Sequence, residues 1–162
     1  MNESTLLTLL DELHIPFQRV EHPALGTIED YYRLGIELPD QGVKNLFLKN
    51  RKGNRHYLLI LDERKTADLA ALAAQIDEAR LSFASPEKLR DYLGVEPGAV
   101  TPFGLLHDQE KKVEVLLDDA LKIDELLGFH PLVNNATVCI SYDDFGRFLE
   151  YCGHMPRWVM VK

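Results

Sequence analysis

The sequence has 162 residues, of which 46% are hydrophobic and 27% charged, as in an ordinary folded globular protein. No apolar run approaches the roughly 20 residues that a membrane-spanning helix needs, and two cysteines are too few for a disulfide framework. The net charge of −8 argues against indiscriminate nucleic-acid binding. Because the N-terminus has no basic region before an apolar one, we expect a cytoplasmic protein with reduced thiols.

The N-terminal part of the chain is predicted to contain two helices and one strand. Leucines at helical spacing follow Ser4, which we expect to cap the first helix, and Pro16 comes after its end. Residues 17–21 alternate in polarity, which is typical of a strand. Thr27 is expected to cap a short helix over residues 28–34.

A β-hairpin is predicted after this helix. Residues 43–50 contain an apolar run typical of a buried strand, and a turn cluster separates them from a second strand over 56–62. Lys44 and Asn45 come just before the apolar run, where the strand begins. Lys44 either directs its ammonium into a cleft above the sheet or is an ordinary lysine at a strand edge.

Positive charge is concentrated around this hairpin. Residues 44–65 contain seven basic and two acidic residues, so the window carries +5 and the rest of the chain −13. Four of these cations lie on or beside the turn, namely Lys49, Arg51, Lys52 and Arg55. The window could receive a polyanion at one place, or it could be a solvated hairpin tip, and the charges alone leave both interpretations open.

The C-terminal part is predicted to alternate between helices and strands. We expect helices over 69–76, 86–93 and 143–151, strands over 80–84, 113–117, 136–141 and 157–161, and loops over 95–106 and 128–135. Residues 121–127 fit either a helix or a strand. Ser85 is a predicted cap, and either Ser141 or Asp143 caps the last helix. The mixed order predicts a single α+β domain over 1–162, with a central mixed β-sheet flanked by helices.

The chain lacks the sequence motifs of several common catalytic sites. It contains no Walker loop, no dinucleotide-binding glycine pattern and no nucleophile elbow. It also lacks a zinc-ligand spacing, so we predict no metal site and no cofactor. Cys139 is expected in the core, whereas His14, His22 and His56 are expected at the surface.

His130 differs from the other histidines because it lies in a constrained loop. It stands between Phe129 and Pro131 and is close to Asn134 in the sequence. It could donate a hydrogen bond to a substrate, or it could be a structural histidine that bonds the backbone of its own loop.

Three segments together resemble the YbaK/ProX-type aminoacyl-tRNA editing domains. They are residues 44–48, residues 98–104, and residues 129–131 with Asn134 and Thr137. In this order and over nearly the whole chain, they are most similar to the free-standing prolyl-tRNA editing branch of that family. The resemblance implies the α+β fold of the family. It also implies a deacylase that acts in trans on mischarged tRNA(Pro), with Ala-tRNA(Pro) as the expected substrate.

The resemblance also implies a set of site residues. Lys44 and His130 would be catalytic, with Lys44 supplying positive charge to the carbonyl oxygen or the terminal phosphate while a positioned water attacks the ester. The expected substrate-binding residues are Ile28, Tyr31, Asn45, Gly98, Pro102, Gly104 and Asn134. Ile28 and Tyr31 could instead be core residues. From the charge distribution, we expect the tRNA to contact Lys49, Arg51, Lys52 and Arg55.

Two other functions fit the same residues. The first is the same reaction on Cys-tRNA(Pro) or another aminoacyl-tRNA. The second is a non-catalytic module that binds an amino acid or a tRNA end. For the expected deacylase, the partner is the acceptor end of tRNA(Pro), with prolyl-tRNA synthetase as a candidate partner protein and no membrane or DNA.

Overall fold

The computed structural model describes residues 2–24, 35 and 38–161, and this part contains eight strands and four α-helices. The strands are β1 (Gln18–Glu21), β2 (Val43–Asn50), β3 (His56–Asp62), β4 (Leu81–Phe83), β5 (Val113–Asp118), β6 (Leu126–Phe129), β7 (Ala136–Ser141) and β8 (Arg157–Val159). The helices are α1 (Glu3–Glu12), α2 (Leu69–Gln75), α3 (Pro86–Leu93) and α4 (Tyr142–Cys152). The predicted helix over 28–34 lies outside the described residues.

Five strands form a mixed sheet in the order β4-β2-β3-β5-β8. Strands β2 and β3 are the arms of the predicted hairpin and pair antiparallel. Strand β5 runs parallel to β3, and β8 runs parallel to β5. The middle strand β3 is buried along almost all of its length, which is why its sequence is continuously apolar rather than alternating.

The other three strands form a separate antiparallel sheet in the order β1-β7-β6. The α+β fold class with a mixed sheet is therefore confirmed, and the structure adds the division of the strands between two sheets. The ambiguous residues 121–127 end in strand β6, which extends to Phe129 and takes in the start of a predicted loop. A side chain at Gly128 would displace the Asp40 carboxylate and press against the Thr137 methyl group, so the glycine lets both pack against this strand.

Side chains of both sheets meet in one hydrophobic core. Phe47 of β2 and Phe129 of β6 belong to it, together with residues of α1, α3 and α4. The next residue, Leu48, points to the opposite face of the large sheet and packs in a second core with Leu72 of α2. This alternation is the period of two that a β-strand imposes on its side chains.

The first helix begins two residues earlier than its predicted cap implies. Asn2 caps α1, because its Oδ1 accepts the backbone N–H of Thr5 at 2.9 Å. The prediction that Ser4 is the cap was wrong, since Ser4 already lies inside the helix. None of the helices among the described residues has the length and apolar character that crossing a membrane would require.

The boundaries of the later helices follow the predicted signals. Ser85 caps α3 and Ser141 caps α4, which settles the choice between Ser141 and Asp143. Gly94 and Gly153 end these helices in the left-handed conformation that glycine adopts without strain. The predicted loop over 95–106 contains two short 3₁₀ turns, Pro97–Ala99 and Pro102–Leu106.

Candidate active site

Lys44 and Asn45 lie at the beginning of β2, beside a stretch of the strand whose outer side is open. Strand β4 pairs with β2 only through Leu48–Asn50. The carbonyl of Phe47 accepts the N–H of Ala84, so the main-chain groups of alternate residues, including Asn45, point to this outer side. Among the described residues, β2 has no strand partner on this side before Leu48. A ligand could therefore reach the backbone at the start of β2.

The side chains of these two residues lack the partners that protein groups usually supply. Lys44 is half-buried, and no carboxylate of the described residues forms an ion pair with it. The Oδ1 atom of Asn45 is buried and accepts no hydrogen bond. A buried acceptor without a donor is uncommon in folded proteins and often marks a place where a ligand or water completes the bonding.

His130 makes the backbone hydrogen bond that was one of its two predicted roles. Its Nδ1 lies 3.0 Å from the carbonyl oxygen of Ala136, so Nδ1 carries the proton and donates. Burial lowers the pKa of His130, with a smaller effect from the neighbouring His22, and the ring is therefore neutral near pH 7. A neutral ring of this tautomer has a lone pair on Nε2. His130 thus offers a substrate a hydrogen-bond acceptor rather than the expected donor.

His22 lies beside His130 and is not a surface residue. The two ring centroids are 6.1 Å apart, and His22 is buried. Its Nδ1 lies 2.9 Å from the carbonyl oxygen of Pro23, and its Nε2 lies 2.8 Å from the Thr137 hydroxyl. The Nδ1–H therefore donates to Pro23, and Nε2 accepts from Thr137. The expectation that His22 lies at the surface was wrong, because its partner Thr137 is distant in the sequence.

Of the four predicted substrate-binding residues in the loops, Gly98 and Asn134 lie beside each other, whereas Pro102 and Gly104 are buried. A methyl group on Gly98 would be 3.4 Å from the Asn134 amide nitrogen, so the structure brings these two predicted residues together. Gly104 instead packs against the end of α3, where a methyl group would lie 2.7 Å from the carbonyl oxygen of Leu93. Its small size therefore serves packing rather than ligand approach. Pro102 is buried in the same turn.

Asp40 is a titratable group near the start of β2 that the sequence analysis missed. Its carboxylate accepts the N–H of Gly42 at 3.1 Å and lies 3.9 Å from the Cys139 thiol. Burial, and then the charge of Glu63, raise the pKa of Asp40 to about 6. The local sequence contains no signal for this shift, because the burial that causes it depends on contacts with distant parts of the chain, such as Gly128 and Cys139 of the small sheet. Ile28 and Tyr31, the proposed pocket walls, lie outside the described residues.

The basic hairpin turn lies at the other end of β2. Lys44 and Asn50 are six residues apart, which in a strand spans about 20 Å. Arg51 and Lys52 are exposed at the turn. Arg55 forms a two-pronged ion pair with Glu114, at 2.8 and 3.0 Å, and its charge is therefore already neutralised. Among the four cations predicted to contact tRNA, Arg55 is thus paired with a carboxylate, whereas Arg51 and Lys52 are exposed at the turn.

A further lysine joins Lys49 at this end of the hairpin. His56 is buried, and its ring packs between Phe47 and Tyr92, with centroids 5.6 and 4.5 Å away. Burial lowers the pKa of His56, and the charges of Lys88 and Lys49 lower it further. Lys49 is directly opposite His56 in the hairpin, and the Lys88 ammonium lies 6.0 Å from the centroid of the Tyr92 ring. The prediction of an exposed His56 was wrong because the packing of Tyr92 of α3 against its ring cannot be seen from the local sequence.

Known proteins are similar to this chain in sequence and in fold. A sequence model described as "Aminoacyl-tRNA editing domain" matches residues 22–148. The chain is 40% identical over 152 residues to "Prolyl-tRNA editing protein ProX" of Acetoanaerobium sticklandii, which covers 94% of this chain and 93% of that protein. It is 33% identical over 151 residues to "Prolyl-tRNA synthetase associated domain-containing protein 1" of Mus musculus, covering 91% and 89% of the two chains.

A solved structure agrees with these matches at the level of the fold. The structure of a "putative trans-editing enzyme for prolyl tRNA synthetase" is 21% identical and has a TM-score of 0.70, covering 100% of this chain and 98% of that one. The predicted family is therefore confirmed. The chain belongs to the aminoacyl-tRNA editing domain family and, as predicted, is an enzyme of the aminoacyl-tRNA hydrolase class.

Proposed function

We propose that this protein hydrolyses the ester bond of Ala-tRNA(Pro) in trans, in the cytoplasm, as a single editing domain over residues 1–162. The observation that carries the proposal is the pair at the start of β2. Lys44 has no carboxylate partner among the described residues, and the neighbouring Asn45 has a buried, unpartnered Oδ1. The two side chains leave β2 on opposite faces, so a ligand would meet both across the open outer side of the strand. The α-ammonium of an aminoacyl ester would donate to the Asn45 oxygen, and its carbonyl would accept from the Lys44 ammonium or from the outward N–H of Asn45.

Hydrolysis of an aminoacyl ester needs only modest catalytic assistance, because the ester is already activated. Lys44 stabilises the negative charge that develops on the carbonyl oxygen, and the outward N–H of Asn45 is a second donor for it. The neutral His130 accepts a hydrogen bond from the attacking water at Nε2 and orients it toward the ester. No covalent nucleophile takes part in this scheme.

Substrate choice follows from size. A synthetase pocket built for proline cannot exclude alanine, which is smaller, so a second site that admits alanine and rejects proline is required. Ile28 and Tyr31 are proposed to wall this second site. A larger pocket would admit cysteine, and Cys-tRNA(Pro) is therefore the alternative substrate.

The acceptor arm of the tRNA is proposed to extend from Lys44 toward the hairpin turn. Lys49, Arg51 and Lys52 contact phosphates there, because long cationic side chains at a turn reach a ligand without disturbing the core. Arg55 is left out of this set, since Glu114 already neutralises it. Prolyl-tRNA synthetase is a candidate partner that would deliver the mischarged tRNA.

Release of labelled amino acid from charged tRNA tests the proposal directly. Purified protein is mixed with Ala-tRNA(Pro), Cys-tRNA(Pro) and Pro-tRNA(Pro), and we expect alanine to be released fastest and proline to be spared. Faster release of cysteine would favour the alternative substrate. Tight binding without hydrolysis of any ester would show a non-catalytic module instead.

The variant Asn45→Leu tests the observation behind the proposal. Leucine has a similar size and removes the buried acceptor, whose missing hydrogen bond costs about 1 to 3 kcal/mol. We expect the free energy of unfolding to stay the same or to rise, while deacylation falls. A variant with unchanged deacylation would show that Asn45 does not bind the ester.

A further inference from the structure

Phe83 is an exposed aromatic residue on the edge strand β4. Its side chain is 61% exposed although it lies within a strand of the large sheet. Single exposed apolar residues are common and need no explanation by themselves. The position of Phe83 relative to Lys44 and to the basic turn sets it apart from such residues.

Phe83 and Lys44 lie on the same face of the sheet. Phe83 is directly opposite Leu48 in the β2–β4 pairing, so both side chains share one face. Lys44 is four residues before Leu48, and even spacing along a strand keeps side chains on one face. The separation of Lys44 from Phe83 is therefore about 13 Å along the sheet.

The same edge leads on to the unpaired cations. Arg51 and Lys52 lie at the end of β2, about three residues beyond Leu48, or roughly 10 Å. The order along this edge is thus Lys44, then Phe83, then the cationic turn. The second core covers this face of the sheet over Leu48, which is fully buried against Leu72 of α2, whereas Phe83 at the edge is exposed. A polyanion whose reactive end lies at Lys44 and whose backbone follows this edge to the turn therefore passes Phe83.

We propose that Phe83 is a stacking platform for a base in the unpaired 3′ end of the bound RNA. The distance of about 13 Å corresponds to no more than about four stacked nucleotides at about 3.4 Å each. Base-on-aromatic stacking is tolerant of sequence, and nucleic-acid channels combine it with cations that hold the phosphates. This inference rests on the proposed function, because it assumes that the ester lies at Lys44.

The other edge of the same sheet supplies a matched control. Trp158 on β8 is also an exposed aromatic residue of a three-residue edge strand, with 55% of its surface exposed. Its indole N–H donates to the Tyr142 hydroxyl at 3.0 Å. Strand β8 is not adjacent to β2, because β5 and β3 lie between them in the sheet. Loss of Trp158 should therefore leave RNA binding unchanged.

Steady-state kinetics with two substrates test the platform. For Phe83→Ala, we expect the KM for Ala-tRNA(Pro) to rise about tenfold with little change in kcat, and hydrolysis of alanyl-adenosine to stay the same. Phe83→Tyr should restore the KM, and Trp158→Ala should behave like the wild type. Equal effects of Phe83→Ala on both substrates, or none on either, would overturn the platform. Absence of hydrolysis by the wild type would overturn the proposed function first.

Fluorescence supplies a readout that does not depend on catalysis. The chain has one tryptophan, so Trp158→Phe combined with Phe83→Trp moves the only reporter to the platform. We expect uncharged tRNA to quench this fluorescence and to leave that of the wild type unchanged. Saturating tRNA without quenching would overturn the proposal. A change of oligomeric state in Phe83→Ala, with an unchanged KM, would instead show that Phe83 contacts a second copy of the chain.

Discussion

Two lysines lie at the same end of the central hairpin and have opposite surroundings. Lys44 is the second residue of β2, and Lys65 follows β3 just beyond Asp62, which pairs with Val43. Lys65 donates to both carboxylate oxygens of Asp118, at 2.9 and 3.1 Å, and to the carbonyl oxygen of Val161 at 2.7 Å. Lys44 has no such carboxylate partner among the described residues.

This contrast separates structural charges from functional ones. The carboxylate of Asp118 is fully buried and also accepts backbone N–H groups of Asp62 and Ala120, so its charge is compensated on all sides. The groups around Lys44 are incomplete, since Asn45 has an unpartnered oxygen and Asp40 a raised pKa. Perturbed and unsatisfied groups of this kind concentrate at functional sites. Lys65 thus stabilises the fold, whereas the Lys44 ammonium is available to bind a ligand.

The largest effect on stability is expected from Lys65→Ala. It leaves the buried Asp118 carboxylate without its cation, and breaking a buried pair from one side costs roughly 3 to 5 kcal/mol. Urea unfolding of this variant measures the loss. The matched control is Lys122→Ala, whose ion pair with Glu125 at 3.5 Å is exposed on both sides and should contribute less than about 1 kcal/mol. Equal losses in both variants would show that Lys65 is not special.

The opposite pattern is expected for Lys44→Ala. Removing a charge stabiliser from the reacting carbonyl should lower deacylation by roughly 10²-fold or more, with the free energy of unfolding nearly unchanged. Lys44→Met, which retains the apolar stem, should lose as much activity as Lys44→Ala. Near wild-type rates in a folded variant would remove Lys44 from the mechanism.

Asp40 extends the same contrast to the carboxylates. Its pKa rises from 3.8 to about 6 in the folded protein, so between these values the folded state binds more protons than the unfolded chain. Its contribution to stability is therefore largest at low pH and is lost as the pH rises through 6, by roughly 2 to 3 kcal/mol in total. The two buried carboxylates therefore differ in their surroundings, because Asp118 is paired with the Lys65 ammonium and Asp40 has no cation of the described residues paired with it.

The variant Asp40→Asn should abolish this dependence. Asparagine can still accept the N–H of Gly42 but carries no charge, so we expect it to raise the free energy of unfolding at pH 7.5 by roughly 2 to 3 kcal/mol. Between pH 4 and pH 7, its stability should fall less than that of the wild type. Asp124→Asn, at an exposed position, is the control. A parallel pH curve for Asp40→Asn and the wild type would contradict the raised pKa.

Local patterns in the sequence predicted the parts of the fold that depend on neighbouring residues. The hairpin follows from two apolar runs around a turn cluster, and the start of α3 follows from Ser85 with Pro86. The position of Lys44 before an apolar run left its role open, and the catalytic role predicted for it came from the resemblance to the editing domains. None of these features needs an interaction with a distant part of the chain.

Long-range contacts decided what the sequence could not show. Thr137 reaches His22 across 115 positions, and Asp118 reaches Lys65 across 53. Lys44 and Lys65 cannot be distinguished by their local sequences, and only the folded chain shows that Lys65 is paired with a carboxylate. The division of the strands into two sheets has the same origin, because β1 pairs with β7 near the other end of the chain.

The smallest effect is expected at the hairpin turn, where paired and unpaired cations again differ. Charge reversal in the double variant Arg51→Glu with Lys52→Glu should raise the KM for Ala-tRNA(Pro) several-fold. It should also reduce the dependence of binding on salt, by a slope of roughly 0.7 to 0.9 for each phosphate that is no longer neutralised. Hydrolysis of alanyl-adenosine should be unchanged, because this small ester would bind at Lys44. The turn is about 20 Å from Lys44 along β2, beyond its reach.

Arg55→Ala is the matched control for this double variant. Its guanidinium already pairs with Glu114, and also lies 3.9 Å from Glu78, so little of its charge is available to RNA. We expect Arg55→Ala to leave the KM and the salt slope unchanged and to lower stability by less than about 1 kcal/mol, since the pair is exposed. A KM that rises as much in Arg55→Ala as in the double variant would show that RNA displaces the glutamates. Pairing within the protein would then not distinguish structural cations from functional ones at this turn.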